Sequence, residues 1–305
     1  MAELSREKFQ IIGCDNANAE EILRPNMTYW QDAWRRLKQN KVAITSLIVL
    51  SIIALMTVFG PFMVPYKHFE NNTKIVNQLP SVAHWFGTDN LGRDMFARLW
   101  VGGRVSVLIA ILGAIVDTVV GVTYGGVAGY FGGLVDDIMM RIVEILVSIP
   151  YLIVVILLSL ILGKGIASLI IAMTITGWVG MARMIRGQIL QIKEQEYVLA
   201  AHALGANPSR IIIRHLLPNT IGIMIVNITL DVPSFIFGEA FLSYIGLGIQ
   251  SPNTSLGALA SAAQQNLFFY PYQLFFPAAL ISMIMLSFNL LGDGLRDALD
   301  PKLRQ

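Results

Sequence analysis

Charge is scarce in this chain of 305 residues: Asp, Glu, Lys and Arg make up 14% of it, where soluble domains carry roughly a quarter. Hydrophobic residues make up 55%, in runs long enough to cross a bilayer, which takes about 20 residues. A soluble α/β enzyme would divide its apolar sequence into shorter, strand-length runs, so a membrane chain is expected. The single cysteine, Cys14, lies in a polar N-terminal stretch, which excludes a disulfide framework and a thiolate metal site. The histidines His68, His84, His202 and His215 have no metal-ligand spacing, and H-E-x-x-H is absent. A G-x-S-x-G elbow is also missing, so no catalytic residue is assigned and no metal site is expected. Without a G-x-x-x-x-G-K-[ST] phosphate loop the chain cannot hydrolyse ATP alone. The net charge of +2 comes without a nucleic-acid-binding patch.

What is present is a series of apolar runs. The first 41 residues are polar and mixed in charge, unlike a cleaved signal peptide, so the run that follows is read as a retained anchor. Six spans are expected: Val42–Val64, about Val105–Val127, about Ile142–Leu162, Ile166 to about Ala182, about Thr220–Tyr244 and about Leu274–Leu291. The corresponding division is a cytoplasmic segment 1–41, a first span 42–64, an external loop 65–104, a core of five spans over 105–292 with a cytoplasmic loop at 183–219, and a cytoplasmic tail 293–305. Gly125 to Gly133 reads as close packing of small residues followed by a turn.

The distribution of Lys and Arg gives the direction. Arg35, Arg36, Lys38 and Lys41 precede the first span; Arg183, Arg186, Lys193, Arg210 and Arg214 lie between the fourth and fifth; Arg296, Lys302 and Arg304 follow the last. Ile245 to Gln273 holds no charged residue. Lys67, Lys74, Arg93 and Arg98 weaken the bias after the first span, but the balance puts both termini in the cytoplasm.

On that side lies AAHALGANPSRIIIRHLLPN, Ala200 to Asn219. A helix ending at Gly205 suits a left-handed C-cap. Asn207 can cap a second helix, Pro208 fits its first turn, and Pro218 is expected to close it. Arg210 and Arg214 lie one turn apart, and small residues at Ala200 and Ala201 admit a close-lying surface. Periodicity alone leaves open whether this amphipathic hairpin rests on the membrane or docks to another protein.

Within the spans, Asp117, Asp231 and Glu239 are the costly residues, because a carboxylate in mid-bilayer needs a polar interior or a partner. Asp231 is the best candidate for a translocation pathway, being mid-span and close to Asn227 and Pro233. Asp117 is a second candidate; for Glu239, packing or gating competes with contact to solute. Asp137, Arg141 and Glu144 share a helix face and are expected to pair locally.

The hairpin resembles the cytoplasmic "EAA" loop of ABC-importer permease subunits. Ala200-Ala201, Gly205, and Leu217-Pro218 carry the spacing, and Glu196 to Asn219 looks like its oligopeptide/dipeptide branch. Leu199 stands where a glutamate is usual, with Glu196 taking the acidic role, and His215 stands where isoleucine is usual. WRRLKQNKVAI, FGTDNLGRDMFARLWVGGRVSV, VDDIMMRIVEILVSIP and GEAFLSYIGLGIQSP are similar to further segments of that branch, in the same order. The polar extension to Pro25 is least covered.

The resemblance implies an all-α polytopic membrane protein of six transmembrane helices with the type I importer permease fold, of the branch's "C" type, in a bacterial plasma (inner) membrane. It implies import of dipeptides or oligopeptides, no cofactor in this chain, and ATP with Mg on partner subunits. The partners implied are a second, different permease, two ATP-binding subunits and an extracytoplasmic solute-binding protein. The coupling residues implied are Glu196, Ala200, Ala201, Gly205, Ala206, Arg210, Arg214, His215 and Pro218. The binding protein is expected to land on Phe86–Arg98 and Ile245–Tyr272. A nickel, glutathione or other small-solute permease on the same frame is the nearest alternative. A six-span channel or membrane enzyme should show a filter or a catalytic constellation, and neither is found.

Overall fold

The computed structural model describes residues 28–300. Cys14, the extension to Pro25, Lys302 and Arg304 lie outside the described residues. The described chain forms helices α1 (Tyr29–Gln39), α2 (Lys41–Phe59), α3 (Met95–Phe131), α4 (Gly133–Ser148), α5 (Tyr151–Leu162), α6 (Ile166–Gly177), α7 (Val179–Ile192), α8 (Glu196–Ala203), α9 (Pro208–Ile211), α10 (Leu217–Tyr244), α11 (Leu256–Gln264) and α12 (Tyr272–Leu299). A π-helical turn, Ile212–Leu216, joins α9 to α10. Among the described residues the only β pairing is an isolated bridge between Thr88 and Asp94.

Four continuous helical stretches are long and apolar enough to cross a membrane: Lys41–Phe62, Met95–Phe131, Pro208–Tyr244 and Tyr272–Leu299. Two bent pairs, α4 with α5 and α6 with α7, bring the total to six if each pair makes one crossing. The expected third span, Ile142–Leu162, is therefore not one helix: its axis turns by 82° between Ser148 and Tyr151. Pro150 causes the break, since its ring excludes Ile149 from helical geometry, and Ile149 is extended at φ −90°, ψ 126°. With 12 residues, α5 rises about 18 Å and needs α4 to complete a crossing of about 30 Å. The second span begins at Met95 rather than near Val105, because Asp94 caps it there through Ala97 N at 2.8 Å.

A face of small residues on α3 positions α7. A Cβ at Gly121, Gly125 or Gly129 would run into Met181, the Ala182 carbonyl or Ile189. Their four-residue spacing lets the two backbones touch along one line, as expected for close-packed spans. Gly132 and Gly133 then make the turn into α4 at positive φ. The main buried cluster joins Ile109, Ala110 and Ala114 of α3 to Leu169, Met173, Phe235, Ile236, Leu256 and Ile284. A separate cluster at the far end of α3 holds Val122, Met181, Ile185, Ile189, Val198, Ile211 and Leu216.

The segment after α2 folds into a small cap over one end of the bundle. Asp89 accepts from Arg93 Nε at 2.7 Å and forms an ion pair with Arg98 at 3.4 Å. His84 Nδ1 lies 2.8 Å from Asp94, and Phe86 stacks on Phe276 with ring centroids 4.0 Å apart. Tyr272 donates to the Gln78 and Thr88 carbonyls at 2.8 and 2.9 Å, fastening the cap to α12. Burial, then the neighbouring Arg98 and Arg104, holds the His68 imidazole below its ordinary pKa.

Candidate functional site

The hairpin read from the sequence is assembled at the end of the bundle that carries the second cluster. Glu196 opens α8, and Gly205 closes it at φ +80°. Gly205 N donates to the His202 carbonyl at 2.9 Å and Ala206 N to the Ala201 carbonyl at 3.1 Å, which is the Schellman pattern. Asn207 then caps the next helix by accepting from Arg210 N at 2.8 Å, with Pro208 in its first turn. These caps match the residues read for them.

The second helix departs from expectation, because Pro218 does not end it. The helix widens through Ile212–Leu216 and continues into α10 as one stretch, Pro208–Tyr244. Proline lacks the N–H that would bond to the carbonyl four residues back, and a π turn absorbs that loss. Leu217 N reaches the Ile212 carbonyl instead. Likewise Arg183 and Arg186 stand on α7, not in a loop, so the loop expected at 183–219 begins only after Ile192.

One face of the hairpin is held down: Val198, Ile211 and Leu216 pack with Met181, Ile185 and Ile189 of α7. Tyr197 and His215 bring their rings to 6.5 Å across the two arms. The opposite face is open. Leu204 is 89% exposed, Ile213 64% and Leu199 57%, while Glu196, Ala200, Gly205, Arg210, Arg214 and Pro218 are also exposed. Ala201, Ala206 and His215 are half-buried. Ser209, Arg210, Ile213 and Arg214 line a shallow, open depression. Apolar tips among arginines on an anchored hairpin form a surface suited to protein docking.

Two connections that sequence spacing did not reveal lock this end together. Arg186 makes a paired contact with Asp136 of α4, both hydrogen bonds at 2.5 Å. Lys193 donates to the Gly129 carbonyl at the end of α3 at 3.1 Å. The expected Asp137–Arg141 pair is not made; Arg141 bonds Glu144 at 2.7 Å on an exposed face. Adjacent carboxylates at Asp136 and Asp137 point to different sides of α4, and only packing decides which meets α7.

The candidate pathway residues fall into two groups. Asp117 is buried against Gly177, where a Cβ would overlap its carboxylate, and its Oδ1 has no hydrogen-bond partner among the described residues. It therefore occupies the notch where α6 turns by 42° into α7. Asp231, half-buried on α10, accepts from Asn227 at 3.1 Å and lies within electrostatic reach of Asp117. Glu239 is elsewhere, fully buried and bound by three hydroxyls: Ser106 at 2.7 Å, Ser243 at 2.7 Å and Ser255 at 2.5 Å. Ser106 also accepts from Leu256 N at 3.0 Å. Glu239 thus clasps α3, α10 and the start of α11, and has no open space to meet a solute.

The landing segment expected at Phe86–Arg98 is for the most part interior, with Asn90 and Leu91 exposed. Its glycines and ion pairs build the cap. Val82 at 96%, Phe268 at 96% and Phe269 at 81% stand open at this end.

Comparison with known proteins bears on all of this. Residues 121–305 match the family described as binding-protein-dependent transport system inner membrane component. Residues 28–80 match the N-terminal TM domain of oligopeptide transport permease C. The chain is 52% identical over 291 residues to the dipeptide transport system permease protein DppC of Bacillus subtilis (strain 168), covering 95% of this chain and 91% of the relative. It is 48% identical to the oligopeptide transport system permease protein OppC of the same organism, covering 100% of both. Among solved structures, a chain of the inward-facing MetNI methionine ABC transporter aligns with a TM-score of 0.55 at 20% identity, over 68% of this chain and 98% of that one, which establishes the shared fold.

Proposed function

Because the chain belongs to the binding-protein-dependent transport system inner membrane components, we propose that it is one permease subunit of an ATP-driven importer of dipeptides and oligopeptides. The observation that carries this reading is the anchored, open-faced hairpin 196–219 on a chain with the type I permease fold. The chain is a multi-pass membrane component and has no phosphate loop, so hydrolysis of ATP falls to partner subunits. A second permease, two ATPases and an external solute-binding protein complete the proposed assembly. The exposed residues of the hairpin would sit on the ATPases, and α7 would carry their movement to the bend beside Asp117. Asp136 and Arg186 tie α4 into the same movement.

Both termini are placed in the cytoplasm, from the Lys and Arg distribution. Phe268 is 96% exposed in the uncharged segment between α10 and α12, which makes it the position for an external label. In a Cys14→Ser background, Phe268→Cys should react with an impermeant maleimide in intact cells. Gln305→Cys should react only after permeabilisation. The reverse pattern would overturn the orientation and put the hairpin on the wrong side for an ATPase.

Asp231 is the proposed pathway carboxylate, meeting the amino terminus of a passing peptide. A charge-assisted bond of about 1.5–3 kcal/mol predicts that Asp231→Asn lowers uptake of free-amine peptides by roughly tenfold or more. Uptake of N-acetylated peptides should change little. Equal uptake of both by wild type and variant removes Asp231 from the pathway. Peptide uptake independent of this chain, with nickel or glutathione uptake requiring it, would overturn the substrate assignment.

A further inference from the structure

Helix α1 takes no part in the docking face or the pathway, yet its surface is strongly ordered. Asn40 alone separates it from α2, ending α1 and capping α2 through Ala43 N at 3.1 Å. The helix therefore lies at the boundary where the first span enters the bilayer. Ala33 and Leu37 face inward, Leu37 packing with Ala43 and Ala298, and the Tyr29 hydroxyl donates to the Leu299 carbonyl at 3.1 Å. At about 100° per residue, the order around the axis from that buried face is Leu37, Trp30, Trp34, Lys38, Gln31, Arg35. Trp30 is 51% exposed and Trp34 47%, and Lys38 Nζ stands 5.3 Å from the Trp34 ring centroid.

That gradient from apolar through indole to cation is the layering of a membrane interface, where tryptophan sits at headgroup depth and lysine extends outward. Arg36 is neutralised by Asp32 at 2.9 Å, whereas Arg35, Lys38 and Lys41 have no ion pair among the described residues. The exposed residues Val42, Ile48, Ile52 and Leu55 continue as an apolar face along α2. We propose that α1 lies in the headgroup layer at the N-terminal end of α2, and that the Trp30–Trp34 edge with Arg35, Lys38 and Lys41 binds anionic phospholipid. Zwitterionic headgroups would accommodate the indoles but would leave three cations without net countercharge.

The test uses the full-length chain, purified with the subunits that accompany it, in vesicles of phosphatidylcholine and phosphatidylglycerol in equal parts. One of the two lipids is brominated near the headgroup, and tryptophan quenching is read. Brominated phosphatidylglycerol should quench more than brominated phosphatidylcholine, and the difference should vanish in Trp30→Phe/Trp34→Phe. Neutralising Arg35, Lys38 and Lys41 to glutamine should keep the quenching but erase the lipid preference, each cation contributing up to about fivefold in local enrichment. Added salt should weaken the preference in the unsubstituted protein. Quenching unaffected by the Trp substitutions would show a protein partner over this edge and overturn the proposal. Equal quenching by both lipids would overturn its anionic preference.

Discussion

Gly205→Leu is expected to impair coupled transport severely while the chain still inserts and folds. Gly205 occupies the left-handed position that closes α8, so any side chain costs about 1–2 kcal/mol of backbone strain. Among the described residues, and apart from its two chain neighbours, nothing comes within 4 Å of the point where a Cβ would sit, so a side chain enters open space there. It projects from the open face beside Leu204. If that face docks to an ATPase, a branched side chain at its centre costs at least about 2 kcal/mol of association, or roughly thirtyfold. Gly205→Ala carries the same strain with a single methyl and should retain most transport. Uptake and ATPase activity, measured on complexes with verified subunit content, separate the two effects. Full coupling in an assembled Gly205→Leu complex would remove the hairpin from the docking role.

The second large effect is expected at Glu239, and it concerns stability. Its carboxylate is the common acceptor for Ser106, Ser243 and Ser255, on three separate segments within the buried bundle. Glu239→Ala removes that acceptor, leaves hydroxyls seeking partners and opens a cavity. With about 1–3 kcal/mol for a buried group left unsatisfied, several such losses give a fall in melting temperature on the order of 10 °C. Glu239→Gln preserves shape and one acceptor and should fall between the two. Solute specificity in the surviving Glu239→Gln protein should be unchanged. A melting temperature for Glu239→Ala equal to that of the unsubstituted protein would show that the clasp contributes nothing.

Several parts of this architecture are legible in the residues. Hydrophobic runs mark six candidate crossings, since lipid demands about 20 apolar residues whatever the fold around them. The Gly205 and Asn207–Pro208 signals are equally local, because a cap is made by residues within a few positions of one another. Pro150 is also visible, yet the run of apolar residues through it reads as one span; hydropathy measures solubility in lipid and is blind to direction. Pro218 misleads in the opposite sense. A proline usually stops a helix, but a π turn lets α9 run into α10 when packing on α7 holds both in line.

By itself, then, the sequence determined the membrane class, the apolar runs able to cross a bilayer, the capped hairpin and the absence of an ATP-binding loop. These depend on composition and on neighbours within one or two helical turns. Only the tertiary structure decided which charges meet: Arg186 with Asp136 across 50 positions, and Glu239 with Ser106 across 133. It also decided that Glu239 is a clasp while Asp231 stays half-exposed, and that Phe86–Arg98 is buried in the cap. A carboxylate in an apolar run signals only that some partner is required. Which partner it finds depends on helix rotation and packing, and those are set by contacts between residues far apart in the chain, such as Gly121, Gly125 and Gly129 against α7.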